Sequence, residues 1–177
     1  WWSVEHRRKG KVIFKHDEQK PNTFMTEGLA KLLNIVCADT SKAATHIWYL
    51  GLFKNNVTPA AGNVATSALG PSGSFGECQD PADFDHATDG TTPASTGNKP
   101  QYTTAVTATN SISNAAAKAE FTMNASITVY GAFLADVASC ADPSGSKLLC
   151  GKRFTNPRAV EADDVLSVQV TITLTSA

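Results

Sequence analysis

Two periodicities organise the apolar positions of this chain, and one long stretch has neither. Ile127–Leu134 reads Ile-Thr-Val-Tyr-Gly-Ala-Phe-Leu, with Thr128 its one plainly polar residue. Strict alternation sends Ile127, Val129 and Phe133 one way and Tyr130 and Leu134 the other, so neither face suits water and the run predicts a central strand. Gly131 in its middle marks a place where another backbone or a bulky ring comes close. His46–Phe53 has the same apolar density and its own glycine, Gly51, and is expected beside it in the core. Leu166, Val168, Val170, Ile172 and Leu174 alternate with Ser167, Gln169, Thr171, Thr173 and Thr175, the clearest period-two pattern. Ala117, Ala119, Phe121 and Met123 alternate with Lys118, Glu120 and Thr122. They predict a half-exposed strand forming a hairpin with Ile127–Leu134 through Asn124-Ala125-Ser126. Leu148–Phe154 reads as a short strand after the Pro143-Ser144-Gly145 turn.

One segment has a helical period. Leu29, Leu32, Leu33, Val36 and Cys37 follow an N-cap at Thr26 and a first-turn acid at Glu27, and Asp39-Thr40-Ser41 closes the pattern. Such a stripe predicts a helix lying on the sheet. From Lys54 to Tyr102 the apolar signal collapses under repeated Gly, Pro and Asn. A segment this long without regular structure predicts an extended loop draped over a neighbouring subunit, or short strands hidden in Val57–Leu69 and Phe75–Phe84. The expected fold is mainly β: an antiparallel β-sandwich or jelly-roll-like domain with one N-terminal α-helix. Residues 1–23 read as an extended basic arm, and 24–177 as a single domain with the long loop inserted at about 54–102.

Charge sharpens the view of the arm. The chain of 177 residues carries a net −1 and only 18% charged residues, so it has no global pull toward nucleic acid or a membrane. Residues 1–23, however, hold Arg7, Arg8, Lys9, Lys11, Lys15 and Lys20 against Glu5, Asp17 and Glu18. A basic arm on an acidic body predicts docking onto an acidic neighbour or onto copies of itself. Trp1 and Trp2 would anchor it, with Arg7, Arg8, Lys9 and Lys11 as charged contacts. Phe75, Phe84 and Tyr102 would be the aromatic contacts of the long loop. A nucleic-acid arm is the weaker reading, because the acidic body offers no basic track.

Chemistry is sparse. Asp80, Asp83, Asp85, His86 and Asp89 could surround a cation, but a calcium loop begun at Asp85 would place Ala87 and Thr96 at ligand positions, so the segment reads as turn formers. His6, His16, His46 and His86 are scattered, and no HExxH, GxSxG, phosphate-loop or dinucleotide motif occurs. The reading is a non-enzyme without cofactor or metal. Cys37, Cys78, Cys140 and Cys150 form no CxxC pair; without an export signal they read as reduced thiols made in a cytoplasm, with a Cys140–Cys150 bridge as the alternative. Asn56-Val57-Thr58 and Asn124-Ala125-Ser126 match the glycosylation sequon and read as chance matches. No apolar run approaches the roughly 20 residues that cross a bilayer.

The order of motifs carries a resemblance. Thr26-Glu27-Gly28-Leu29 with Leu32-Leu33-Asn34, then Ile47–Phe53, Thr58-Pro59-Ala60-Ala61, Ala119-Glu120-Phe121-Thr122, Val129–Leu134 and Ala162–Val168 resemble a family of small virion structural proteins of tailed bacteriophages. The resemblance covers roughly residues 24–175; residues 70–101 and the basic arm lie outside it. It implies a cement or decoration protein on the outside of the capsid, assembled in the host cytoplasm. Such a protein binds the major capsid protein, often as a dimer or trimer, and bridges neighbouring subunits. The alternative is a tail or head fibre module that binds a receptor or glycan, favoured by shallow aromatic or Asp/Asn-lined sites in residues 75–102.

Overall fold

The period-two runs become strands of two antiparallel sheets in a computed structural model that describes residues 2–18, 23–33, 47–90, 92–104 and 111–173. In chain order these are β1 (Trp2–Arg8), β2 (Lys11–Glu18), β3 (Thr23–Phe24), α1 (Thr26–Leu33), β4 (Tyr49–Phe53), α2 (Ala65–Ala68), β5 (Phe84–Thr88), β6 (Ser111–Ser113), β7 (Ala119–Met123), β8 (Ile127–Ala135), β9 (Leu148–Val160) and β10 (Val165–Thr173). One sheet runs β2-β1-β10-β7-β5, with β6 also on β10; the other runs β3-β9-β8-β4. Trp2, Val4, Phe121, Leu166, Val168 and Val170 of the first sheet share one core with Leu50, Leu52, Val129, Leu134, Cys150 and Phe154 of the second. The architecture is an antiparallel sandwich, and each large side chain buried in it contributes about 1.5–3 kcal/mol.

A third layer covers the far face of the four-stranded sheet. Phe53, Phe133, Ala135 and Leu148 pack there against Met25, Ala65, Ala68, Leu69 and Phe75. Alternation lets β8 feed both cores, and its register with β9 shifts between Val129 and Gly131. That bulge resets the alternation, so Val129 joins the inter-sheet core and Phe133 the outer one, although simple alternation puts them on one face. The expected neighbour is present: β4 pairs with β8, with Gly51 opposite Phe133 and Phe53 opposite Gly131.

Four sequence expectations are corrected. The basic arm is a β-hairpin: Lys9 (φ 49°) and Gly10 (φ 73°) make a tight two-residue turn, and β1 lies inside the sheet between β2 and β10. Its Trp2, Val4 and His6 alternate inward while Arg7 points out, a period-two signal hidden by the net charge. The long loop wraps its own domain; α2 and Phe75 close the outer core, and β5 completes the larger sheet.

β7 and β8 make no hairpin. The backbone of Met123 is bonded to Asp163 and Asp164 and that of Asn124 to Asp83, so the chain turns a corner into the other sheet. Finally, α1 docks through its backbone at Gly28, and of its leucine stripe only Leu32 packs against the core among the described residues. A Cβ on Gly28 would lie 2.5 Å from Leu149 Cα, while Leu29 and Leu33 are 45% and 62% exposed. The carboxylate of Glu27 turns the helix this way by accepting from the Leu148 N–H at 2.7 Å and the Ala65 N–H at 2.8 Å. Val36, Cys37, His46 and Leu174 lie outside the described residues.

Candidate functional site

The residues expected to contact a partner do not form one surface. Trp2 is fully buried between the sheets, and Phe75, Phe84 and Tyr102 are also buried. Phe75 packs 5.1 Å from Phe53 and 6.2 Å from Phe133, Phe84 meets Phe121 edge-on at 5.2 Å, and the Tyr102 hydroxyl donates to the Val170 carbonyl at 3.1 Å. These four are core residues, because each lies on an inward strand or loop position whose burial outweighs any gain from exposure. Trp1 lies outside the described residues. Lys9 and Lys11 are exposed at the hairpin tip. Arg7 pairs with Glu5 at 2.6 Å and Glu120 at 3.0 Å, and Arg8 with Asp164 at 2.9 Å and Glu161 at 3.1 Å.

Two buried polar networks were not visible in the sequence. In the first, His6 Nε2 lies 2.7 Å from Asp164 Oδ2 and Nδ1 lies 3.2 Å from Arg158 Nη2. A guanidinium can only donate, so Nδ1 accepts and the ring proton sits on Nε2, donated to Asp164. Arg158 also stacks 3.6 Å from the Phe14 ring centre. Hydrogen bonds from Arg8, the Glu161 N–H and His6 hold the Asp164 carboxyl well below its ordinary 3.8. In the second, Lys99 Nζ donates to Glu77 Oε1 at 2.6 Å and to the Ser139 carbonyl at 2.5 Å, both side chains 1% exposed. Glu77 Oε2 accepts from the Gly70 N–H at 2.7 Å. Burial pushes Glu77 up against the opposing pull of Lys99. The His6–Asp164 and Lys99–Glu77 pairs are closed to solvent, while Arg8 reaches Asp164 from the surface; the two networks tie distant segments together, β1 to the β9–β10 corner and the long loop to residues 138–140.

The acidic segment does not converge. Asp80 accepts from Gly97 N–H, Asp83 from Gln79 N–H and Lys54, and Asp89 from Thr92 N–H and the Thr103 hydroxyl. Among the described residues, no three His, Cys, Asp or Glu side chains are grouped to hold a metal. Cys78, Cys140 and Cys150 are free and buried, so the Cys140–Cys150 bridge is absent. Burial pushes the Cys140 and Cys150 thiols up to about 12.

Two kinds of feature among the described residues are open to a partner. Among the described residues, exposed large apolar side chains fall in two groups on different layers: Val12 and Ile13 on β2, and Leu29, Leu33 and Val64 on the helical layer over the four-stranded sheet. Separately, a cleft of about 250 Å³ opens where Tyr49 bridges Gln101; Asp89, Thr92, Ser95 and Asn98 also line it. Compared with family models, curated proteins and solved structures, the chain matches none of them.

Proposed function

We propose that this is a virion structural protein that binds the outside of a phage capsid and bridges neighbouring major capsid subunits. The observation that carries this reading is the division of the exposed apolar residues into two separate groups, Val12/Ile13 and Leu29/Leu33/Val64, on different layers of a rigid sandwich. A cement needs at least two contact surfaces, and each modest contact is reinforced by the effective concentration that the other creates. The buried networks fit the role, since they stiffen the body without presenting reactive groups. The motif resemblance points the same way.

The test is cryo-EM of virions and of shells mixed with the purified protein. Icosahedrally ordered density over capsid subunit joints is expected, and its loss in a Leu29→Asp/Leu33→Asp double variant that remains folded. Density confined to the tail sinks the reading. A second reading, a glycan-binding module, is favoured by the cleft beside Tyr49, where aromatic, hydroxyl, amide and carboxylate groups converge. Binding on a glycan array that disappears in Tyr49→Ala and Asn98→Ala would support it.

A further inference from the structure

Among the described residues two strand edges lie open over more than a few residues: β9 beyond its two-residue contact with β3, a stretch interrupted by Pro157, and β2. Beside β4, Tyr49 is bridged by Gln101 and Phe53 by Glu77. On β5, Thr88 is bridged by Pro93 and the Ala87 carbonyl accepts from the Ala94 N–H. β3 is only two residues long. β2 presents eight residues, contains no proline, and among the described residues pairs with β1 alone. Its outer backbone groups are a ready template for another strand.

The sequence of β2 selects the strand that fits. The register shifts between His6 and Arg7, which oppose Phe14 and Val12, so Ile13 is the bulged residue and 14–18 is the regular segment. Along it Phe14 and His16 are half-buried on the core side, while Lys15 and Asp17 are exposed on the outer side. Antiparallel pairing of two identical strands about a two-fold axis keeps inner residues opposite inner ones only when the axis passes through a residue. Centring on Lys15 opposes two lysines, and centring on Asp17 opposes two aspartates. Centring on His16 sets Lys15 of each copy directly opposite Asp17 of the other, twice.

We propose that β2 pairs antiparallel with β2 of a second copy of this chain, centred on His16, joining two six-stranded sheets into one continuous sheet. The cross-copy Lys15–Asp17 pairs fix the register, because the neighbouring face-preserving registers place like charges together. The half-exposed Ile13 and Val12 then flank the ladder at both ends. This dimer takes up the Val12/Ile13 group and leaves Leu29, Leu33 and Val64 of each copy free, so the two shell contacts of a bridge would then come from two copies.

The experiment is sedimentation equilibrium of the purified full chain across micromolar concentrations, at low salt, with circular dichroism to verify folding. The wild type is expected at twice the chain mass. Lys15→Asp and Asp17→Lys each turn both pairs repulsive, so each alone dimerises about tenfold or more weakly. An equimolar mixture of the two variants restores opposite charges across the ladder and is expected to recover the dimer. That recovery separates a pairing effect from a folding defect. A monomeric wild type throughout, single variants that dimerise as the wild type does, or a β2 edge that binds only shell protein overturns the proposal. Shell occupancy of the same samples is a separate readout, so a dimer that never decorates shells counts against the function and not against the pairing.

Discussion

Phe53 lies directly over Gly131 across the β4–β8 ladder: a Cβ at position 131 would sit 2.3 Å from Phe53 Cζ and 2.2 Å from the Lys152 carbonyl oxygen. The arrangement is reciprocal, since a Cβ on Gly51 would lie 2.2 Å from Phe133 Cζ. Each strand supplies a ring and the space for its partner's ring. Gly131→Ala is therefore expected to destabilise by about 1–3 kcal/mol or more, and Gly51→Ala by less, because only a ring and no backbone opposes it. Urea unfolding checks both values, and Phe133→Leu should recover part of the Gly51→Ala loss.

Removing one partner of the Glu77–Lys99 pair strands a charge in the core. Lys99→Met should cost about 3–5 kcal/mol. The double variant Lys99→Met/Glu77→Gln should be clearly more stable than Lys99→Met, because no ion is left unpaired. Denaturant melts of the single and double variants measure the coupling.

Asp164 makes stability depend on acidity. Its folded carboxyl is held below the unfolded value of 3.8, chiefly by Arg8, so the folded state binds fewer protons. The stabilisation is present above that unfolded value and is lost as pH falls below about 4. Thermal melts between neutral pH and about pH 2.5 should fall more steeply for the wild type than for Asp164→Asn, which starts lower and lacks this slope.

Deleting residues 1–18 is expected to abolish cooperative folding, because it removes β1 from between β2 and β10 and takes Trp2 and Val4 out of the core. Val12→Lys/Ile13→Lys should leave stability within about 0.5 kcal/mol, as both side chains are about half exposed. Circular dichroism and unfolding curves distinguish the two outcomes.

Thiol accessibility follows from burial. Cys78, Cys140 and Cys150 should resist alkylation in the folded protein at neutral pH and react once it is denatured, since each is buried with its ionisation pushed up. Mass spectrometry of labelled peptides reads this directly.

The sandwich and the pairing of Ile127–Leu134 with the Tyr49 strand were legible because dense apolar alternation dictates strands that are buried on both faces. Gly131 announced a close approach, though not which ring would make it. The partner of β7 was not legible, because a period of two fixes which face is buried but not which strand lies alongside. The hairpin at residues 2–18 was obscured by six basic residues in the first 23, although Trp2, Val4 and His6 alternated in plain view. The loop contributes Ala65, Ala68, Leu69, Phe75, Phe84 and Tyr102 to the core, spaced too unevenly to raise a periodic signal. The cleft joins Tyr49 to residues 89–101 through one backbone bridge, a relation that no spacing encodes.

The pairing of β1 with β10 also bears on how the chain reaches this state. His6 meets Asp164 across 158 residues of sequence. At a synthesis rate of 5–20 residues per second, the hairpin waits roughly 8–30 s on the ribosome before its central partner exists. Meanwhile Trp2, Val4 and both edges of the hairpin stay uncovered. Folding is thus held back by translation and by costly long-range loop closure, and early chains are most prone to associate with one another through this hairpin.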